Sequence, residues 1–294
     1  MQGSISSDVL PVTVLIPTIG RSELLKHCLE SVALCEPRAA EIIVIDQSGD
    51  DAVRSVVARF SESGARLVRT HVRNRSVAVN YGMKQATHDI VLITDDDCTV
   101  EPSWVGGAWK HMSNDERTIV TGRVLPVGDM MAIPSLMGAE TPYDYTGELH
   151  DDVMSGCNMA CSRTRFVDFG GFDERFNRLQ DNDFCYRWLR SGRPLHYDPD
   201  LLVWHHAWRT PAELKNHYRT YARGKGVFYA KHLRRRDRGV ARFLARDIRR
   251  AARGVASRVV HGRSEWPDAR RALPLGVLLG LVQGWKVFGT EPKR

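Results

Sequence analysis

Four short apolar runs, separated by stretches of helical periodicity, restrict the first hundred residues to very few folds. The runs are VTVLIP (12–17), EIIVID (41–46), ARLVRT (65–70) and DIVLIT (89–94). Each is strand-length, rich in β-branched residues and closed by a polar or turn-forming residue. Between the first two, Leu24, Leu25, Cys28, Leu29 and Val32 recur at helical spacing, and Val53, Val56, Val57 and Phe60 do so after the second. Residues 77–86 read as a third helix. Strands alternating with helices of this length form βαβ units around a parallel sheet. Right-handed crossovers then bring the strand ends, with Asp46 and Asp95–Asp97, to one edge.

Asp95, Asp96 and Asp97 follow the fourth run directly. Three adjacent carboxylates repel one another in a dry site, so water or a divalent cation must neutralise them. Hard cations such as Mg²⁺ take carboxylate oxygens and share their shell with a substrate phosphate. The plainer alternative is a solvated acidic turn. Arg73 and Arg75 lie just before the third helix, where guanidinium groups and a helix N-terminus suit a phosphate. Solvated surface arginines are the alternative there.

Past Pro102 the pattern changes. A helix is expected over 104–111 and a strand over 118–126. Residues 126–152 are mostly irregular, and so long a loop in a packed domain is usually functional. Regular structure resumes at Met159–Ser162. Gln180–Arg190 reads as a short helix with Phe184 and Trp188 on one face, and Leu201–Trp204 as a last strand ending in His205 and His206. From Pro211 onward only helix is expected. The six cysteines (Cys28, Cys35, Cys98, Cys157, Cys161, Cys185) show no CxxC pair and no zinc-ligand spacing. The opening MQGSISSDVLP is short and polar, unlike a secretory leader. Reduced thiols in a cytoplasmic protein are the expectation.

Taken in order, these segments resemble family-2 glycosyltransferases of the GT-A fold. VLIPTIGRSELLKHCLESV looks like the family's opening strand and helix, and EIIVIDQSGDD like its second strand. RSVAVNYGMKQATHDIVLITDDDCTVEPSWV looks like the stretch through the DxD motif. GCNMACSRTRFVDFGGFDERF looks like the acceptor-side segment, and LQDNDFCYRWLRSG like the helix carrying the catalytic base. The resemblance covers roughly 12–209. It implies an α/β fold of GT-A type, a Rossmann-like, mostly parallel nucleotide-binding sheet with helices on both faces. A donor half (about 12–101) and an acceptor half (about 102–209) make up a catalytic domain over 1–209. A basic helical region over 210–294 follows.

The resemblance also implies roles. Pro17, Thr18 and Asp46 would meet the donor's base and ribose. Arg75, Asp95 and Asp96 would meet its sugar phosphates and ribose, and Asp97 with His205 would hold Mn²⁺ or Mg²⁺. Asp181 would take the proton from an acceptor hydroxyl. Asp183 is the rival base, but a helix turns it about 200° from Asp181. His205 and His206 are adjacent on a strand, so only one faces the site. Two departures stand out. Val79 precedes Asn80 where many relatives carry Arg, and Gln180 replaces a Glu. The implied reaction is metal-dependent, inverting transfer from a UDP-, dTDP- or GDP-sugar to a hydroxyl acceptor, lipid-linked or a polysaccharide precursor.

Between Arg209 and Arg263 there are seventeen Lys or Arg and three acidic residues, a local +14; the whole chain is +7, so the rest is −7 (7 − 14). Val240, Leu244, Ile248, Val255 and Val259 follow helical spacing, while Arg242, Arg246, Arg249, Arg250 and Arg253 occupy other faces. Such a basic amphipathic helix suits an anionic membrane surface. The LPLGVLLGLVQGW run, broken by Pro274, Gly276 and Gly280, is too short to span a bilayer, which needs about 20 residues. Peripheral attachment to the inner face of the cell membrane is therefore expected. The alternative is packing on the catalytic domain or on a second copy in a homodimer. No nucleic-acid motif accompanies the charge, so nucleic acid is not an expected partner. Two rival functions remain. A sugar-1-phosphate nucleotidyltransferase needs a Gly-rich loop after the first strand, which IPTIGRSELL lacks. A non-catalytic membrane scaffold is disfavoured by the intact aspartates.

Overall fold

Three of the four apolar runs lie inside the sheet with their side chains covered on both faces, and the fourth, ARLVRT, forms its half-buried edge. In the computed structural model, which describes residues 8–115, 117–133, 135–145, 147, 155–261 and 273–289, strands β1 (Val9–Thr18), β2 (Arg38–Asp46), β3 (Ala65–Arg69) and β4 (Ile90–Ile93) pair in parallel in the order β3-β2-β1-β4. Val14, Leu15 and Ile16 are all fully buried, as two-sided burial requires. Helices α1 (Ser22–Ala33), α2 (Asp51–Ala58) and α3 (Arg75–Gln85) make the crossovers. Asp50 caps α2, and Asn74 caps α3 by accepting from the backbone N–H of Ser76 and Val77.

Beyond β4 the sheet becomes mixed. The elements are β5 (Cys98–Val100), α4 (Trp104–Asn114), β6 (Ile119–Val127), β7 (Tyr143–Tyr145), β8 (Met159–Ser162), α5 (Arg163–Asp168), α6 (Gln180–Arg190) and β9 (Leu195–His206). β8 lies antiparallel between β4 and β6, β6 pairs with β9 in parallel, and β5 and β7 pair with β9 antiparallel. The α6 helix keeps its expected bounds. The last strand does not: it begins at Leu195 rather than Leu201 and runs through Pro199. The β6–β9 register shifts between Gly122 and Val124, opposite that proline, so no ladder bond is asked of it. β5, β7 and α5 are too short to leave a periodic signature. Trp104 anchors α4 over the sheet, its indole N–H donating to Asn158 Oδ1 at 2.9 Å.

The C-terminal region is helical where it is described: α7 (Pro211–Arg234), α8 (Arg238–His261) and α9 (Leu273–Val287). Thr210 and Glu213 form a reciprocal capping box, with Pro211 at the first helical position. Phe176 and Tyr186 of the α/β body pack with Val227, Phe228, Tyr229, Val240, Phe243 and Phe288 in a second apolar cluster, so these helices are bound to the body. α7 and α9 cross very closely. A Cβ on Gly226 would strike the α9 backbone at Val277, and one on Gly280 would strike the carbonyl of Arg223. Gly276, Gly280 and Gly284, four apart, face the seam against Ala222, Gly226 and Ala230. The glycines that look like interruptions in the sequence are therefore the packing surface. Leu275, Leu278, Leu279, Val282 and Trp285 are left exposed on α9, as is Ile248 on α8. The side chains of Val255, Val259 and Pro274, and the stretch 262–272, lie outside the described residues. Among the described residues, no helix is long and apolar enough to cross a membrane.

Candidate active site

The parallel strands deliver their carboxylates to one edge, and a cavity of about 370 Å³ opens there. That volume lies in the range of small-molecule sites. Its walls include Pro17, Thr18, Arg75, Asp95, Asp97, Asp181 and His205, seven of the nine residues expected from sequence. Asp46 and Asp96 lie beneath it, fully buried. Asp46 accepts from Ser48 N at 2.8 Å and Ser48 Oγ at 2.5 Å, which tightens the turn after β2. A larger cleft, about 520 Å³ near Gly171 and Lys231, lies away from the aspartate triplet, and its Arg187 and Lys231 are paired with Asp183 and Asp173.

The three adjacent aspartates have three different environments. Asp95 faces the cavity and accepts from Arg75 Nε at 2.9 Å. Asp96 points inward to Arg21 and to Thr18, whose hydroxyl donates at 2.5 Å. Burial pushes Asp96 up to about 6; Arg21 opposes this and the charge on Asp97 adds to it. Asp97 is equally buried, yet its carboxyl is held well below the usual range. Desolvation works against this, but His205, Arg21 and Arg209 outweigh it. Asp97 Oδ2 accepts from Trp208 Nε1 at 2.7 Å and lies 3.2 Å from Arg21 Nη1 and 3.3 Å from Arg209 Nη2. Oδ1 has a different neighbour: His205 Nε2 at 3.3 Å. Neither nitrogen of the buried His205 ring has a hydrogen-bond partner. A cation therefore fits between Asp97 Oδ1 and His205, where an acceptor oxygen and an unsatisfied imidazole converge. Burial disfavours the His205 cation, but Asp97 overrides this and raises the ring to about 10. His206 points the other way, bonded to Thr99 Oγ1 at 3.0 Å.

Asp181 stands across the cavity, at the start of α6. The preceding Leu179 adopts a left-handed φ of 63°, an uncommon conformation for a branched residue, and this turn sets the helix entry. Asp181 Oδ2 accepts from Gly156 N at 2.8 Å. A Cβ at Gly156 would collide with that carboxylate, so only glycine allows the approach. Burial raises the Asp181 pKa despite nearby Arg75, which makes it a better proton acceptor once ionised. Asp183 has a different fate. It is fully buried among Lys231 Nζ (2.8 Å), His232 Nε2 (2.9 Å) and Arg187 Nε (2.9 Å). Those partners hold it far below the carboxylate range against desolvation. It is a structural ion-pair hub that does not line the cavity.

Cations outnumber these carboxylates around the cavity: Arg21, Arg73, Arg75, Arg178 and Arg209 all line it. Three buried guanidinium nitrogens there have no hydrogen-bond partner: Arg75 Nη1, Arg178 Nε and Arg209 Nη1. Gln180 Oε1 and His217 Nε2 are also buried and unpartnered. Each such group costs about 1–3 kcal/mol until a ligand satisfies it. Sequence reasoning missed Arg21, Gly156, Arg178 and Arg209. It also missed that His217, Thr220 and Tyr221 of α7 wall the cavity from beyond residue 209. Arg21 follows the first strand by three residues, and that position was the available signal. Val79, where the resemblance leads one to expect Arg, is fully buried in the core.

Known proteins are similar to this chain. The model of glycosyl transferase family 2 matches residues 13–176, more than half of the chain. Among curated proteins, the pre-mycofactocin glycosyltransferase of Mycobacterium tuberculosis is 25% identical over 212 residues, covering 66% of this chain and 42% of its own length. The chain thus spans less than half of that relative. Glycosyltransferase AglE of Haloferax volcanii is 24% identical over 227 residues, covering 73% of this chain and 72% of its own. Among solved structures, the mannosyltransferase PcManGT of Pyrobaculum calidifontis, in complex with GDP-Man and Mn²⁺, superposes with a TM-score of 0.61 at 19% identity over 96% of this chain and 88% of its own. S. aureus TarS 1-349 gives 0.63 at 15% identity, over 94% and 81%. At these identities the solved structures speak for the fold: an α/β GT-A-like sheet with flanking helices and a helical C-terminal extension.

Proposed function

This chain belongs to glycosyl transferase family 2, and from that premise we propose that it transfers a sugar from a nucleoside-diphosphate donor to an acceptor hydroxyl with inversion. The three unpartnered guanidinium nitrogens around a cavity flanked by Asp95, Asp97 and Asp181 carry this reading. They form a ready receptor for a diphosphate, with donors fixed before the ligand arrives. Asp97 and His205 would hold the divalent cation, Mn²⁺ or Mg²⁺. When bound, it neutralises charge developing on the leaving diphosphate.

The remaining roles belong to the chain's own residues. Arg75 is fixed between Asp95 and the Gly156 carbonyl, which it meets at 2.8 Å, and it presents its free Nη1 to the phosphates. Asp46, at the end of β2, is assigned to the base side, with Pro17 and Thr18 lining the donor end. The Thr18 hydroxyl already donates to Asp96, so its contribution to the ligand is positional. Asp96 sets the position of Arg21. Asp181 takes the acceptor's proton, and the buried Gln180 Oε1 accepts from a second acceptor group. One base suffices for a single displacement, and inversion follows.

The same observations favour a donor half near 12–101, an acceptor half near 102–209, and C-terminal helices that complete the acceptor wall. The exposed stripe of Leu275, Leu278, Leu279, Val282 and Trp285, with exposed Arg242, Arg249, Arg250 and Arg253, supports peripheral attachment to an anionic lipid surface and a lipid-linked acceptor. Thermal shift against UDP-, dTDP- and GDP-sugars, with and without Mn²⁺, tests the donor reading. A donor at 100 times its Kd should stabilise by about 2.7 kcal/mol. No shift with any nucleotide-sugar, at any cation concentration, rejects it.

A further inference from the structure

The inner side of the cation position is lined by sulfur. Cys98 follows Asp97 directly, and Cys157 sits in the loop before β8, 59 residues later in the sequence (157 − 98). The fold brings both to His205: the two Sγ atoms and a ring nitrogen all lie within 4.8 Å of one another, and all three residues are buried. Three points so close share a centre no more than about 2.8 Å from each, against zinc bond lengths of about 2.3 Å to sulfur and 2.0–2.1 Å to nitrogen. A movement of under an ångström closes the set. Asp97 Oδ1 lies beside this set, 3.3 Å from His205 Nε2 and 3.9 Å from Cys98 Sγ, and a further shift toward Cys157 would bring it in as a fourth ligand. Neither His205 nitrogen makes a well-formed hydrogen bond, Nε2 standing only in the ion-pair contact with Asp97 Oδ1, which marks room for a ligand.

We propose that Cys98, Cys157 and His205, with Asp97 as fourth ligand, form a binding site for a thiophilic divalent cation of the Zn²⁺ class in the inner wall of the donor cavity. Two thiolates, one imidazole and one carboxylate make a tetrahedral donor set that hard cations such as Mg²⁺ do not favour. Binding one Zn²⁺ forms two metal–sulfur bonds and one metal–nitrogen bond, and releases to water whatever protons the two sulfurs and the His205 ring carry beforehand. His205 and Asp97 are the residues assigned to the donor's Mn²⁺ or Mg²⁺. A Zn²⁺ ion bound here withdraws both, so zinc occupancy and hard-cation-assisted donor binding exclude each other. The inference rests on the transferase reading only for that last consequence.

The test uses the full chain, reduced, with no nucleotide present, so its failure is separate from failure of the transferase reading. Co²⁺ is the probe, because cobalt bound to thiolate gives a near-ultraviolet charge-transfer band that oxygen-ligated cobalt lacks. The expected result is one Co²⁺ per chain with that band, displaced by one equivalent of Zn²⁺ and not by a large excess of Mg²⁺. Cys98→Ser and Cys157→Ser should each weaken the band and lower affinity at least tenfold, while Cys161→Ser, at the β4–β8 pairing, should keep both. If the serine variants do not fold, the wild-type spectrum decides alone. Cobalt bound without the band, a band unchanged in both serine variants, or a band lost equally with Cys161→Ser overturns the proposal.

Discussion

Two substitutions two residues apart on α6, Asp181→Asn and Asp183→Asn, should fail in opposite ways. Asp183 is fully buried and meets Lys231, His232 and Arg187 within 2.9 Å. Breaking a buried pair from one side costs about 3–5 kcal/mol. Lys231 retains Asp173 at 2.8 Å, so the low end, about 3 kcal/mol, is the expectation. For 294 residues at ~2.1 cal/mol/K each, the unfolding entropy is about 0.6 kcal/mol/K, which makes this a fall of about 5 °C in Tm. The effect has a pH signature. Asp183 is depressed in the folded chain, so its stabilisation is complete above the unfolded value near 4 and is lost as pH falls toward the folded one. The stability gap between wild type and D183N should therefore be constant from about pH 5 to 7 and shrink below pH 4. D181N should behave otherwise. The amide oxygen can still accept from Gly156 N, so Tm should move little, while kcat falls about 10²-fold or more. Urea unfolding at pH 7 and pH 3.5, with single-turnover transfer, reads both axes. If D183N keeps wild-type stability, or D181N keeps kcat, the assignment of base and hub is wrong.

Three further outcomes are expected. Asp97→Ala should abolish cation-dependent donor binding in calorimetry, and EDTA should silence the wild type; full turnover in EDTA would refute cation dependence. Gly156→Ala should lower kcat while leaving nucleotide affinity near wild type, because its Cβ displaces the Asp181 carboxylate; unchanged kinetics would show that the loop yields freely. Binding to anionic vesicles should weaken with salt and with replacement of Arg242, Arg246, Arg249, Arg250 and Arg253 by Gln, at about 1 kcal/mol for each residue near the surface. A stable homodimer that ignores vesicles would instead mark the α9 face as an assembly interface.

The carboxylate edge of the site was legible because local chemistry specifies it. A buried parallel strand must end in a turn, and carboxylates at such turns share one edge, so Asp46 and Asp95–Asp97 could be grouped from the sequence. The place of Asp181 at the start of a short helix was legible too, while its role as base came from the family resemblance and stands as a proposal. What escaped was everything decided by distant packing. Arg178 and Arg209 look like ordinary basic residues until the fold buries their nitrogens. The CxxC test of cysteine spacing found nothing, because Cys98 and Cys157 meet through β-sheet closure and not through a local loop. Helix geometry indicated that Asp181 and Asp183 face apart and the resemblance favoured Asp181, but the partners that bury Asp183, Lys231 and His232, lie about fifty residues downstream.

The glycine seam between α7 and α9 has a consequence for how this region can change. A helix has one circumference, and here its smallest residues make the grip while its largest are turned away. The outward positions, Leu275, Leu278, Leu279, Val282 and Trp285, carry no part of that grip, so they can be replaced without unseating the helix. Gly226 and Gly280 have no such latitude, because any added carbon meets backbone. What α9 touches on the outside can therefore drift from one descendant to the next, while the hinge-free mount that presents it stays the same.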